Sequence, residues 1–186
     1  TIAGESSGGN SVLLHTVSPA AANTFQHAIA MSGGAIVLRY PAFGAPRPLK
    51  VAQDVGVSFA KSVGCEKRVA ECLRNLTTKQ ILDTQTPYLI NQAIIDGQVI
   101  PAHPADLMRE GKVNRVSLIN GNTRDEGRFF AGLTENMTGQ AMTEESWQAT
   151  LDGFYGKPLA ELVRREYPLS DYQAPAESYA AAVGDS

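Results

Sequence analysis

Gly4-Glu5-Ser6-Ser7-Gly8 is the segment of these 186 residues with the clearest capacity for chemistry. Gly-x-Ser-x-Gly suits a serine presented on a tight turn, where small neighbours let the backbone double back and leave the hydroxyl exposed. A serine so placed attacks a carbonyl carbon and carries the acyl group covalently, provided a base takes its proton. The backbone N–H of the following residue, Ser7, would then face the oxygen on which charge develops. An ordinary strand-to-helix turn can carry the same pattern, so the flanking elements decide its meaning.

Those elements are the right ones. Thr1 to Gly4 reads as the end of a strand. From Gly9 to Thr16 the spacing of Val12, Leu13 and Thr16 predicts a helix closed by Pro19. His27 to Ser32 reads as a buried strand stopped by Gly33-Gly34. Strand, helix and strand in about thirty residues make a βαβ unit, which implies a right-handed crossover in a parallel sheet.

Further along, Pro41 to Pro48 reads as a loop, and Val51, Val55, Phe59 and Val63 mark a helix ended by Gly64. Thr77 and Gln80 fit a capping box. Asp96-Gly97 carries a hairpin-type turn signal, and Pro104 to Glu110 a short helix. Val116 to Asn120 reads as a second clear strand. From Thr143 onward the sequence predicts helical segments broken at Gly156, Pro168 and Pro175.

Composition excludes several classes of function. A net charge of −3 with scattered cations does not suit nucleic acid. No run approaches the roughly 18 apolar residues of a membrane span. No Cys/His cluster has metal-ligand spacing, and no phosphate loop or dinucleotide fingerprint occurs. Arg164-Arg165 fall where a helix should end and suit its dipole.

Three runs resemble the type-B carboxylesterase family: Gly4 to Ser11 (Gly-Glu-Ser-Ser-Gly-Gly-Asn-Ser), Ser18-Pro19, and Phe25 to Gly33 (Phe-Gln-His-Ala-Ile-Ala-Met-Ser-Gly). The likeness continues through Cys65…Cys72-Leu73-Arg74, Ile95-Asp96-Gly97…Ile100-Pro101 and Leu107…Gly111-Lys112. It reaches Gly121 to Phe130 (Gly-Asn-Thr-Arg-Asp-Glu-Gly-Arg-Phe-Phe) and is looser beyond. The resemblance implies an α/β fold of the α/β-hydrolase type, with a mostly parallel central sheet and helices on both faces. It also implies that residues 1–186 are the central part of one such domain, truncated at both ends.

By the same resemblance Ser6 matches the nucleophile and Glu126 the acid of a catalytic triad, with Ser32 hydrogen-bonding near the acid. Read alone, Asp125-Glu126-Gly127 is a solvated turn. A carboxylate at Glu126 would hold an imidazole in one tautomer and stabilise the imidazolium as Ser6 attacks. His15, His27 and His103 all precede Glu126, and none matches the family's histidine, which lies C-terminal of the acid. The glycine-rich loop that completes the oxyanion hole is expected upstream. These residues by themselves are therefore expected to be inactive.

Cys65 and Cys72 would lie about 10.5 Å apart on a continuous helix, too far to bridge, so a disulfide needs a turn between them. Gly64 and the charged Glu66-Lys67-Arg68 permit one, and two reduced thiols remain the alternative. The resemblance implies a closed loop here. A bridge points to secretion or the periplasm, free thiols to the cytoplasm. Asn75-Leu76-Thr77 and Asn136-Met137-Thr138 are sequons, relevant only in a eukaryotic secretory host.

The expected activity is hydrolysis of a small-molecule carboxylic ester, without cofactor or metal. The rival is a non-catalytic adhesion or binding homologue of the same fold, which typically replaces the serine or the acid. A truncated sheet is further expected to self-associate through its exposed edges.

Overall fold

The computed structural model describes residues 1–42, 44–85 and 92–185. Strand β1 (Ile2–Glu5), helix α1 (Ser7–Val17) and strand β2 (His27–Met31) form the expected βαβ unit. Strand β5 (Ser117–Gly121) joins the other side of β2, giving a parallel sheet in the order β1-β2-β5. The register runs from Ile2 opposite Ala28 to Glu5 opposite Met31, and from His27 opposite Ser117 to Met31 opposite Gly121.

Helix α1 is held to the sheet by its apolar face. Val12 and Leu13 are buried in one cluster with Ala28 and Ala30 of β2, together with Phe25 and Ile36. Burial of the Val12, Leu13, Phe25 and Ile36 side chains supplies roughly 1.5–3 kcal/mol each. The expected buried strand is buried only at Ala28 and Ala30, for His27 and Met31 at its ends are exposed. β5 is exposed throughout, with Ile119 68% exposed, although a parallel sheet ordinarily has both faces covered.

Two expectations for the middle of the chain are corrected. Arg47 and Pro48 are not loop but form a two-residue strand, β3, paired in parallel with β4 (Ile94–Ile95). Asp96-Gly97 therefore does not join a hairpin. Gly97 takes a left-handed φ of 80°, and the Asp96 carboxylate accepts hydrogen bonds from the N–H groups of Gln98 and Ile100. A turn signal fixes the local bend, but the partner of the preceding strand is set by the tertiary fold.

Between β3 and β4 lie α2 (Leu49–Ser62), α3 (Val69–Arg74) and α4 (Thr78–Gln85). Thr77 and Gln80 make the expected reciprocal cap. Cys65 and Cys72 are joined by a disulfide, their Cα atoms 5.5 Å apart. The turn this requires lies between α2 and α3, with Gly64 and Arg68 both at positive φ.

Helix α5 (Pro104–Arg109) precedes β5. The C-terminal part is a second helical layer: α6 (Glu126–Thr138), α7 (Glu144–Tyr155), α8 (Lys157–Glu166) and α9 (Pro175–Gly184). Thr143 and Ser146 cap α7 reciprocally, and Arg164-Arg165 occupy the last turn of α8. Trp147, Leu151, Tyr155, Ala160 and Tyr179 form the core of this layer. Its buried hydroxyl is satisfied, since Ser178 Oγ accepts from Trp147 Nε1 at 3.1 Å and donates to the Tyr167 carbonyl at 2.8 Å. At Gly127 a side chain would overlap the backbone of Ala180, so α9 sits directly against the first turn of α6.

Candidate active site

Ser6 is the first residue beyond β1, and its N–H extends the ladder by donating to Met31 O at 2.9 Å. Its backbone then turns through φ 54° and ψ −118°, a region that L-residues rarely occupy. Such strain costs of order 1–3 kcal/mol and persists only where the surroundings impose it. Here they do. A Cβ on Gly4 would overlap the Gly8 carbonyl oxygen, so the chain has no room except by doubling back. The next turn is wedged as well: a Cβ on Gly9 would lie 2.7 Å from Met31 O, and one on Gly33 2.7 Å from Asn10 N.

The same device recurs one strand over. Ser32, the first residue beyond β2, donates its N–H to Gly121 O at 2.8 Å and has φ 52°. Its Oγ donates to Glu126 Oε1, which also accepts the Thr123 N–H at 2.8 Å. Glu126 is no solvated turn residue. It opens α6, where the helix dipole favours a negative charge. The Ser32 hydroxyl holds its carboxyl below the ordinary range, outweighing the opposing effect of burial, with help from Thr123. The neighbouring Asp125 instead pairs with Arg128 at 3.1 Å and Arg124 at 3.5 Å.

Ser6, Ser32 and Glu126 line one cavity of about 200 Å³. Its remaining wall is largely apolar, from Val37 and Leu38 after β2, Phe130 of α6, Phe154 of α7 and Val183 of α9. The cavity lies at the C-terminal ends of the parallel strands, where open α/β sheets bind their ligands. Ser7 starts α1, so its N–H has no intrahelical acceptor and can meet an oxyanion.

None of the three histidines lines this cavity. His15 lies in the last turn of α1, and His27 begins β2, at the end of the sheet opposite Ser6. His103 caps α5 and is engaged through both ring nitrogens. Among the described residues no cluster of His, Cys, Asp and Glu could hold a metal ion, and no helix is long and apolar enough to cross a membrane.

Several lining residues have no signal in the sequence that marks them for the cavity. Phe154 and Val183 come from distant helices and carry no local signal. Asn10 belongs to the elbow run, and its buried Oδ1 has no hydrogen-bond partner among the described residues. Gly33 read only as a strand stop, whereas its contact with Gly9 fixes the elbow against β2.

Comparison with known proteins bears on the family and the fold. Residues 1–175 match the carboxylesterase family. The chain is 28% identical over 180 residues to para-nitrobenzyl esterase of Bacillus subtilis (strain 168), covering 91% of this chain and 34% of that protein. It is 32% identical over 159 residues to an acylcarnitine hydrolase of Mus musculus, covering 81% and 27% respectively. A solved structure titled PNB esterase superposes with a TM-score of 0.68 at 25% identity, over 97% of this chain and 40% of the other. The architecture is thus that of the α/β-hydrolases, and the chain spans about a third of the length of the relatives it matches.

Proposed function

The chain belongs to the carboxylesterase family, and on that premise we propose that it carries the nucleophile and the acid of a serine esterase. The observation that carries this reading is the convergence of Ser6, on a strained elbow, and an anionic Glu126 on one cavity. In the reaction Ser6 Oγ attacks the ester carbonyl while an imidazole takes its proton. Glu126 orients that imidazole and stabilises its positive charge. The Ser7 N–H stabilises the oxyanion. Collapse expels the alcohol, which leaves with the proton, and water then releases the acid from Ser6 by the reverse sequence.

The imidazole is supplied by chain outside residues 1–186, because His15, His27 and His103 all lie away from the cavity. The 186 residues alone therefore hydrolyse esters negligibly, and the full-length protein is the enzyme. Retention of both Ser6 and Glu126 favours catalysis over the adhesion homologue. The Cys65–Cys72 bridge favours an oxidising compartment.

The test is Ser6→Ala in the full-length protein. Hydrolysis of para-nitrophenyl acetate should vanish while the thermal melt stays cooperative. Turnover near that of the unsubstituted protein would exclude Ser6 from the mechanism. A fluorophosphonate probe should label full-length protein at Ser6 and leave the 186-residue chain almost unlabelled. Rapid stoichiometric labelling of the latter would place a base within it.

A further inference from the structure

The apolar wall beside Ser6 begins in a short turn, Ala35 to Val37, followed by Leu38. The turn uses the carbonyls of Gly34 and Ala35, which accept from Val37 N and Leu38 N at 3.1 Å. Leu38 then leaves in extended conformation, with φ −70° and ψ 152°. Its side chain packs against the C-terminal helical core, whereas Ser6 stands on the sheet. Ile36 of the turn is buried with Ala28 and Ala30 of the sheet, which fixes the start of the wall. Leu38 lies beyond it and needs its own tie if its distance from the nucleophile is to be fixed.

His103 makes that tie. Its Nε2 lies 3.0 Å from the Leu38 carbonyl oxygen, and its Nδ1 accepts the Ala105 N–H at 3.3 Å. A backbone N–H can only donate, so Nδ1 is the acceptor and the proton sits on Nε2, aimed at Leu38 O. Helix α5 is in turn anchored by its buried Pro104 and Leu107. One residue on, Arg39 pairs with Asp106 of α5 at 2.7 Å. That pair is exposed and contributes little, so of the two polar contacts from α5 the histidine's is the stronger constraint on Leu38.

We propose that His103 is a positioning residue for substrate, which holds the Leu38 wall at a fixed distance from Ser6 and so selects esters with an apolar acyl chain longer than acetyl. The proposal rests on the esterase reading of Ser6. On this proposal the acyl chain lies along the wall, so a hexanoyl chain packs against it and an acetyl group does not reach it. Loss of the tie therefore weakens binding of the longer ester and leaves the chemistry at Ser6 untouched.

His103→Ser and His103→Asn test this in the full-length enzyme. Both keep an oxygen that caps α5, and both are too short to reach Leu38 O. KM for para-nitrophenyl hexanoate should rise roughly two- to tenfold, the span of one hydrogen bond's net contribution. KM and kcat for para-nitrophenyl acetate, and labelling of Ser6 by a small fluorophosphonate, should stay at the unsubstituted values. Equal change for both esters, or change for neither, would overturn the proposal. So would loss of folding in both variants, since His103 would then hold the fold rather than the wall. If the unsubstituted enzyme were not labelled at Ser6, the esterase reading itself would fall first, and this one with it.

Discussion

Ser32 Oγ donates to Glu126 Oε1 across 94 positions of sequence, joining the end of β2 to the start of α6. The bond makes the Glu126 charge part of the fold's stability. Its carboxyl titrates below the ordinary 4.5, so it adds stability that is complete above that value. The contribution is lost as pH falls through the lower, folded value. Ser32→Ala should shrink this acid-sensitive part. Urea denaturation of both proteins at about pH 7 and about pH 3 measures it. The stability difference between them should be larger at the higher pH, and an equal difference at both would break the link.

The elbow stores strain that can be released. Ser6→Gly places at φ 54° the residue that tolerates it best. Relief of about 1–3 kcal/mol should exceed the roughly 0.5–1 kcal/mol of added chain entropy. The variant should be inactive and yet more stable by about 1 kcal/mol. A lower melting temperature than that of the unsubstituted protein would show that the backbone is relaxed there.

Gly33 and Gly8 should respond in opposite ways to the same substitution. At Gly33 a methyl would lie 2.5 Å from the Gly9 carbonyl carbon, and both partners are backbone. Gly33→Ala must push α1 away from β2, at a cost of about 1–3 kcal/mol. At Gly8, within α1, a methyl meets nothing within 4 Å. Gly8→Ala should leave stability unchanged or raise it by up to about 1 kcal/mol. Chemical denaturation of the two variants provides the comparison.

The Cys65–Cys72 bridge closes a loop with a sequence separation of 7. On the chain-entropy view so short a loop contributes about 2.5 kcal/mol. Thiol titration of unreduced protein under denaturing conditions should find no free thiol. Reduction should lower the melting temperature by several degrees, and no change would mean that the turn between α2 and α3 holds without the bridge.

The surroundings of Ser6 are legible in the sequence, but unevenly. The elbow at Ser6, the cap at Thr77 and the helix start at Pro104 depend on residues a few positions apart, so local spacing carries them. Glu126 was legible only through family resemblance, because nothing in Asp125-Glu126-Gly127 distinguishes a helix start from a solvated turn.

What the sequence by itself determined is therefore the turn at Ser6 and the elements on either side of it. Tertiary structure decided the rest. It turned Glu126 rather than Asp125 into the cavity, because α6 packs on α9 at Gly127 and Ala180, leaving Asp125 outside with Arg124 and Arg128. It brought Ser32 to Glu126 because the register of β2 on β5 ends with Met31 opposite Gly121. It assembled the apolar wall from Leu38, Phe130, Phe154 and Val183. These contacts join segments far apart in the chain. They are fixed by how the layers pack, which no short window of sequence encodes.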